Sequence, residues 1–264
     1  MAGTSALSGM TALVTGGSGA IGAACALALL RDGAAIMLMA RGKQALQQAR
    51  AELLAACPEG RVEIFVGDGK DDQAVAAAVQ AAHAIAGRLD IVVATVGQGG
   101  AFRSIVDDTP ADFLEVIERN VMSAFLAVKF AAPLMPQGGS IVCISSTVAK
   151  RVAAGGGSYA TAKAGLEGFV MASAEELGSR GIRVNAIRPG PVVSKLRADF
   201  YANPAIAERF TAKIPLGRLG TGADIAQGVR YLAGPESAWV TGQSFAIDGG
   251  SELRGQPDLS GLAS

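Results

Sequence analysis

The sequence is poor in the residues that most often carry acid–base and metal chemistry. It has one histidine, His83, inside an alanine-rich helical pattern where a surface or packing role outweighs ligation, so a serine–histidine triad is unpromising. Its three cysteines, Cys25, Cys57 and Cys143, are an odd number and lack CxxC or Cys/His spacing. They read as reduced core or near-core thiols, with no metal site. Charge is scarce at 17%, and 23 basic residues balance 23 acidic ones, which leaves no field to draw in nucleic acid or an anionic membrane. No apolar run approaches the roughly 18 residues of a membrane span without Gly or charge interrupting it. The start, MAGTSALSG, lacks a basic region followed by an apolar one. A cytoplasmic protein is expected.

What is abundant is core material. Half of the 264 residues are hydrophobic, and α/β folds of this length commonly form one core, so a single domain over 1–264 is expected. Short apolar runs alternate with helical patterns. Strands are predicted at Thr11–Thr15, Ala35–Ala40, Val62–Val66, Asp90–Ala94, Gly139–Ser145, Gly181–Ile187 and Gln243–Ile247. Helices are predicted after Gly22, over Gln44–Ala56 and Asp71–Ala86, from Thr109 to about Met135, around Tyr159, and over Asp224–Ala233. Strands separated by helices of this length predict right-handed βαβ units and a doubly wound, Rossmann-type parallel sheet of seven strands flanked by helices. Residues 191–221, with Phe200, Tyr201 and Phe210, have the composition of an inserted lid, and the tail 254–264 reads as loose.

The first strand runs into Gly16-Gly17-Ser18-Gly19-Ala20-Ile21-Gly22 and then a helix. That order sets backbone N–H groups and the positive end of a helix dipole against a phosphate. The end of the second strand would face an adenosine ribose. It carries Ala40, then Arg41 with Lys43 close behind, instead of a carboxylate. A guanidinium there can bind a 2′-phosphate, which favours NADP(H) over NAD(H); otherwise both are solvated charges of the next helix. Asp68, after the third strand, either accepts from an adenine amino group or caps the helix beginning near Asp71. Asn120 lies inside a long helical pattern, where its amide competes for backbone bonds; it is either exposed or retained for a role.

The stretch Ile141–Lys163 breaks at Ser145 and Ser146, crosses a glycine-rich loop, and enters a helix bearing Tyr159 and Lys163. Four residues apart, the two share a helix face. An ammonium beside a phenol favours the phenolate, so a hydroxyl that ordinarily titrates near ~10 becomes an acid/base candidate.

Taken together and in order, these motifs resemble the short-chain dehydrogenase/reductase family over about residues 8–252. They are the loop Thr15–Gly22, Asp68, Asn120, Ser146 thirteen residues before Tyr159, the YxxxK pair Tyr159/Lys163, Asn185 with Pro189-Gly190, and Thr241-Gly242-Gln243 with Asp248-Gly249-Gly250. The resemblance implies a nicotinamide-dependent oxidoreductase acting on a small-molecule alcohol or ketone. Tyr159 would transfer the substrate proton, Ser146 would hold the substrate oxygen, Lys163 would bind the nicotinamide ribose and bias Tyr159 toward phenolate, and Asn120 would position a proton-relaying water. Gly16, Ser18, Gly19, Ile21, Gly22, Arg41, Asp68, Gly97, Tyr159, Lys163, Pro189, Gly190, Val192 and Ser194 would contact the cofactor, Ser194 at the carboxamide. Relatives commonly form tetramers or dimers through the Tyr159 helix. The small residues Ala160, Ala164, Gly165, Gly168 and Ala172 would allow either that or tight packing within the subunit.

Three departures stand out. The usual TGxxxGxG has Ala20 for its middle glycine, and the usual Asn-Asn-Ala-Gly reads Ala94-Thr95-Val96-Gly97, so any bond from the first Asn is absent. Ser194 replaces the usual Thr. A catalytically weak NADP-binding sensor or scaffold on the same fold is the competing class. The joint presence of Ser146, Tyr159, Lys163 and Asn120 argues against it, because a sensor needs no proton donor. Relatives that reduce enoyl thioesters space Tyr and Lys more widely than YxxxK. Substrate-wall candidates are residues 98–102, 147–154 and 192–210, with hydrophobic alcohols or ketones, including 3-oxoacyl or steroid-like ones, as candidate substrates. Lys150 and Arg151 either meet an anionic substrate or are solvated loop charges.

Overall fold

The computed structural model describes residues 5–194 and 198–257. The chain begins with β1 (Thr11–Thr15), α1 (Ala20–Arg31), β2 (Ala35–Ala40), α2 (Lys43–Ala56), β3 (Val62–Val66), α3 (Asp72–Ala86) and β4 (Ile91–Ala94). It continues through α4 (Pro110–Ile117), α5 (Ser123–Ala131), β5 (Ser140–Ile144), α6 (Gly157–Gly178) and β6 (Arg183–Pro189). Then come α7 (Ala198–Ala202), α8 (Pro204–Ala212), α9 (Gly222–Ala233), β7 (Ser244–Ile247) and α10 (Ser251–Arg254).

The strands form one parallel seven-stranded sheet in the order β3-β2-β1-β4-β5-β6-β7. β1, β4 and β5 are buried along their whole length, as expected of strands covered on both faces. Alternate side chains feed two cores. Leu13, Val92, Ile141 and Val184 pack with Val79 of α3, Ala127 of α5 and Leu166 of α6 on one face. Val14, Ile36, Val93 and Ile187 pack with Leu29 of α1, Leu46 of α2 and Val229 of α9 on the other. The chain reverses direction across the sheet between β1 and β4, and a ligand crevice is expected there, outside the carboxyl ends of the strands.

The predicted helix from Thr109 to about Met135 is not continuous. α4 gives way to a widened π turn over Glu118–Met122 before α5, and a tight turn over Ala132–Leu134 ends it. Asn120 sits in the π turn and is fully buried, not exposed. Its side chain accounts for the break: Nδ2 donates to Val116 O (2.8 Å) and to Gln98 O (2.9 Å) in the loop after β4, a contact no local pattern encodes. β6 runs two residues past its predicted end, with Pro189 as its last residue. The predicted tail is ordered as α10 over its first residue, Arg254; residues 258–264 lie outside the described part. Among the described residues no helix is long and apolar enough to cross a membrane. The three cysteines are free, with Cys25 and Cys143 buried.

Candidate active site

A cavity of about 1650 Å³ opens at the carboxyl ends of the strands. Its floor at β1 is the glycine loop. Gly16 turns there with φ +69°, and a Cβ at that position would meet Thr95 Oγ1 at 2.5 Å. Gly19 precedes α1 without a side-chain cap, and no acidic residue stands in the first turn, so the helix N-terminus faces the cavity with its N–H groups uncapped by a side chain. Ser18, Ala20, Ile21 and Gly22 line the same wall. Ala20 is exposed as the first helical residue, so its methyl group is accommodated without displacing the turn.

At the end of β2, Arg41 is exposed on the cavity rim. Asp68 lines the cavity and accepts from Lys70 N (3.0 Å). The cap of α3 is Asp71, which accepts from Ala74 N (2.9 Å), so the capping alternative for Asp68 falls away. After β4, Thr95 Oγ1 donates to Thr15 O (2.6 Å). A threonine hydroxyl therefore ties the ends of β4 and β1 in the element that departs from the family pattern.

Ser146 follows β5. Its Oγ accepts from Val148 N (3.3 Å), and the residue lines the cavity. Tyr159 and Lys163 project from the first turns of α6, with Lys163 Nζ 5.8 Å from the Tyr159 ring centroid. Gly99 passes over that ring; a Cβ there would lie 3.6 Å from Tyr159 Cγ. Lys163 is 2% exposed, and Nζ donates to Ile144 O (2.7 Å). Burial lowers its pKa from 10.5 to about 8. A thiolate at Cys143 would oppose this shift, but burial pushes that thiol up to about 12, so it is neutral where Lys163 titrates. Asn120 stands behind the cavity wall with Oδ1 buried and unpartnered among the described residues. A Cβ built on Gly97 would come within 2.5 Å of that Oδ1 and 2.8 Å of Lys163 Nζ, so both polar atoms border the space that Gly97 leaves open. Gly97, Pro189, Gly190, Val192 and Ser194 complete the lining. Ser146 and every residue expected to contact the cofactor thus lie on this cavity and Asn120 backs it, whereas Lys43, Lys150 and Arg151 are not part of its lining.

One further group was not legible in sequence, and the aromatic residues of the expected lid cluster over the site. Glu167, one turn after Lys163 and 6% exposed, accepts from Ser145 Oγ (2.9 Å) and lies 3.6 Å from Arg188 and 3.5 Å from Lys150. Over the cavity, Phe200, Tyr201 and Phe210 of α7 and α8 stack edge-on with centroids 5.2–5.9 Å apart.

The family model described as Enoyl-(Acyl carrier protein) reductase matches residues 16–252. The chain belongs to the short-chain dehydrogenase/reductase family. It is 36% identical to the 3-oxoacyl-(acyl-carrier-protein) reductase of Pseudomonas aeruginosa over 248 residues, 92% of this chain and 98% of that one. A short-chain type dehydrogenase/reductase from Mycobacterium ulcerans superposes with a TM-score of 0.94 at 32% identity, covering 97% and 94% of the two chains. A short-chain dehydrogenase from Burkholderia cenocepacia, solved in complex with NADP, gives 0.84 at 33% identity over 93% and 99%. This short-chain dehydrogenase/reductase is accordingly an oxidoreductase that acts on CH–OH groups with NAD(P) as acceptor.

Proposed function

We propose that the protein transfers hydride between NADP(H) and a hydrophobic secondary alcohol or its ketone, with Tyr159 as the group that moves the substrate proton. The observation that carries this reading is the pairing of Tyr159 with a buried Lys163 one helical turn away, on the same cavity as an uncapped glycine-loop helix terminus. The cavity fits a nicotinamide dinucleotide: the glycine loop offers N–H groups to a pyrophosphate, and the orphaned Asn120 Oδ1 and the Lys163 ammonium border the space that Gly97 leaves open. When bound, the nicotinamide supplies or accepts the hydride. The protein's own part is to hold the substrate oxygen with Ser146, pass its proton through Tyr159, and keep a positive charge at Lys163 that favours the phenolate. Asn120 would hold the water through which Lys163 exchanges protons.

The absence of a carboxylate after β2, with Arg41 on the rim, supports NADP(H) over NAD(H). Val152, Phe200, Tyr201 and Phe210 give the substrate side an apolar, aromatic wall. Lys150 is engaged with Glu167 and Arg151 donates to Glu252 O (2.7 Å), so both serve the protein's own contacts and favour a neutral substrate. The one-turn Tyr–Lys spacing supports carbonyl over enoyl reduction, the matched model's description notwithstanding. The same reading has the enzyme working in the cytoplasm as a homo-oligomer, a dimer or tetramer. Ala164, Gly165 and Ala172 lie exposed on α6, while Ala160 packs inside.

The test is a panel of ketones with NADPH and NADH, run on the native enzyme and on Tyr159→Phe. Turnover of apolar ketones with NADPH is expected, and the variant should lose at least ~10²-fold in kcat while still binding NADPH. A variant that keeps most of its activity overturns the role of Tyr159, and a clear NADH preference overturns that of Arg41.

A further inference from the structure

The segment after β7 is tied into the site at several points. Asp248 fixes its start, accepting from Gly250 N (2.9 Å), Glu252 N (2.7 Å) and the Ser251 hydroxyl (3.0 Å). α10 then presents Glu252 to Arg188 near the end of β6, Nε to Oε1 at 2.7 Å and Nη2 to Oε2 at 3.3 Å. The Arg188 side chain is 12% exposed and that of Glu252 20%, so this bidentate pair is largely shielded and stronger than a surface ion pair. The Glu252 carbonyl accepts from Arg151 in the loop between Ser146 and Tyr159 (2.7 Å). Arg254 Nη1 donates to the carbonyl of Ala212, the last residue of α8 (3.1 Å). One short segment is therefore fastened to the β6 exit, to the loop ahead of Tyr159, and to the aromatic lid. Beyond these ties, Gln256 and Pro257 stand in the cavity lining with Val152, Phe200 and Phe210.

We propose that residues 251–257 form a specificity-determining wall of the substrate pocket, anchored by Glu252, whose Gln256 and Pro257 touch the part of an apolar ketone beyond its reacting carbon. The inference rests on the reading of the cavity as a ketone site. Its anchor is the sheet itself, through Arg188 on β6, so the wall keeps its position with respect to the site. A small ketone bound at Ser146 and Tyr159 would not extend to it; a long one would.

The test compares kcat/KM for 2-decanone and 2-butanone with NADPH in the native enzyme, in Glu252→Ala, and in a Gln256→Gly/Pro257→Gly double variant that leaves every ion pair intact. In both variants the 2-decanone to 2-butanone ratio should fall about tenfold, the size expected when about two methylene groups lose apolar contact. The NADPH dissociation constant, read by fluorescence titration, should stay within about twofold. An unchanged ratio, a rise, or an equal loss for both ketones overturns the proposal, and the double variant decides should Glu252→Ala fail to fold. If the native enzyme reduces neither ketone, the reaction reading fails separately, and the wall is read from 2-decanone binding to the NADPH complex. A weaker dissociation constant in the double variant supports the wall, and an unchanged one overturns it.

Discussion

Lys163 shows how one buried side chain links stability to chemistry. Between about 8 and its ordinary 10.5, the unfolded chain holds a proton that the folded chain has released. The site's contribution to stability therefore rises with pH across that window, and below it the buried ammonium is a constant penalty. The catalytic consequence follows the same proton. In the proposed mechanism ketone reduction consumes a proton delivered through Tyr159 and Lys163, so its kcat/KM should fall as pH rises through about 8, and alcohol oxidation should rise. The pH window is set by the buried Lys163. A pH profile measured in both directions checks this, and Lys163→Met should lose the inflection; a native profile flat across the window would refute the assignment. Thr95 offers a second test at this scale. Thr95→Val keeps the volume but removes the 2.6 Å bond to Thr15 O beneath the glycine loop. A loss of ~1 kcal/mol in stability, with weaker NADPH binding, is expected from denaturant melts and cofactor titration.

Among the elements, α6 organises the site, and it does so through a residue that sequence reading passes over. Tyr159 and Lys163 were legible because a four-residue spacing is a local fact. Glu167 was not, since its partners Ser145, Lys150 and Arg188 come from three separate segments. The strands were legible for the converse reason: runs such as TALVT and SIVCI are buried on both faces and show it in composition. The π turn at Asn120 and the ordered α10 were missed because each is imposed by remote contacts, with Gln98 O in one case and Arg188 in the other. The glycine loop lies between these extremes, since its pattern is local but the strand end that leads into it is tied to Thr95, eighty positions beyond Thr15. Glu167→Ala should expose the energetic side of this network. It leaves the Ser145 hydroxyl without its acceptor and removes one of two carboxylates from Arg188, an expected loss on the order of 3 kcal/mol in chemical denaturation. Glu167→Gln, which retains an acceptor for Ser145, should lose distinctly less, and equal losses would show that charge, not the hydrogen bond, dominates.

Over the whole molecule, the sheet has an open edge at β7, the last strand in the order. Phe245 on that strand is 40% exposed, and Trp239, just ahead of it, is fully exposed. An unpaired edge flanked by large aromatics in water is unfavourable for an isolated chain and is commonly covered. The small exposed face of α6 is a second surface open to close helix approach. Both features lead to the same expectation, a dimer or tetramer in sedimentation velocity at micromolar concentration. Because Trp239 is the only tryptophan, its emission separates the two surfaces. If the β7 edge is an interface, emission should be blue-shifted in the assembled protein and move toward that of a solvated indole as dilution dissociates it. An oligomer whose emission does not change on dilution would assign assembly to α6. A monomer at every concentration, with solvated emission throughout, would overturn the homo-oligomeric reading and leave the site to be completed by one chain alone.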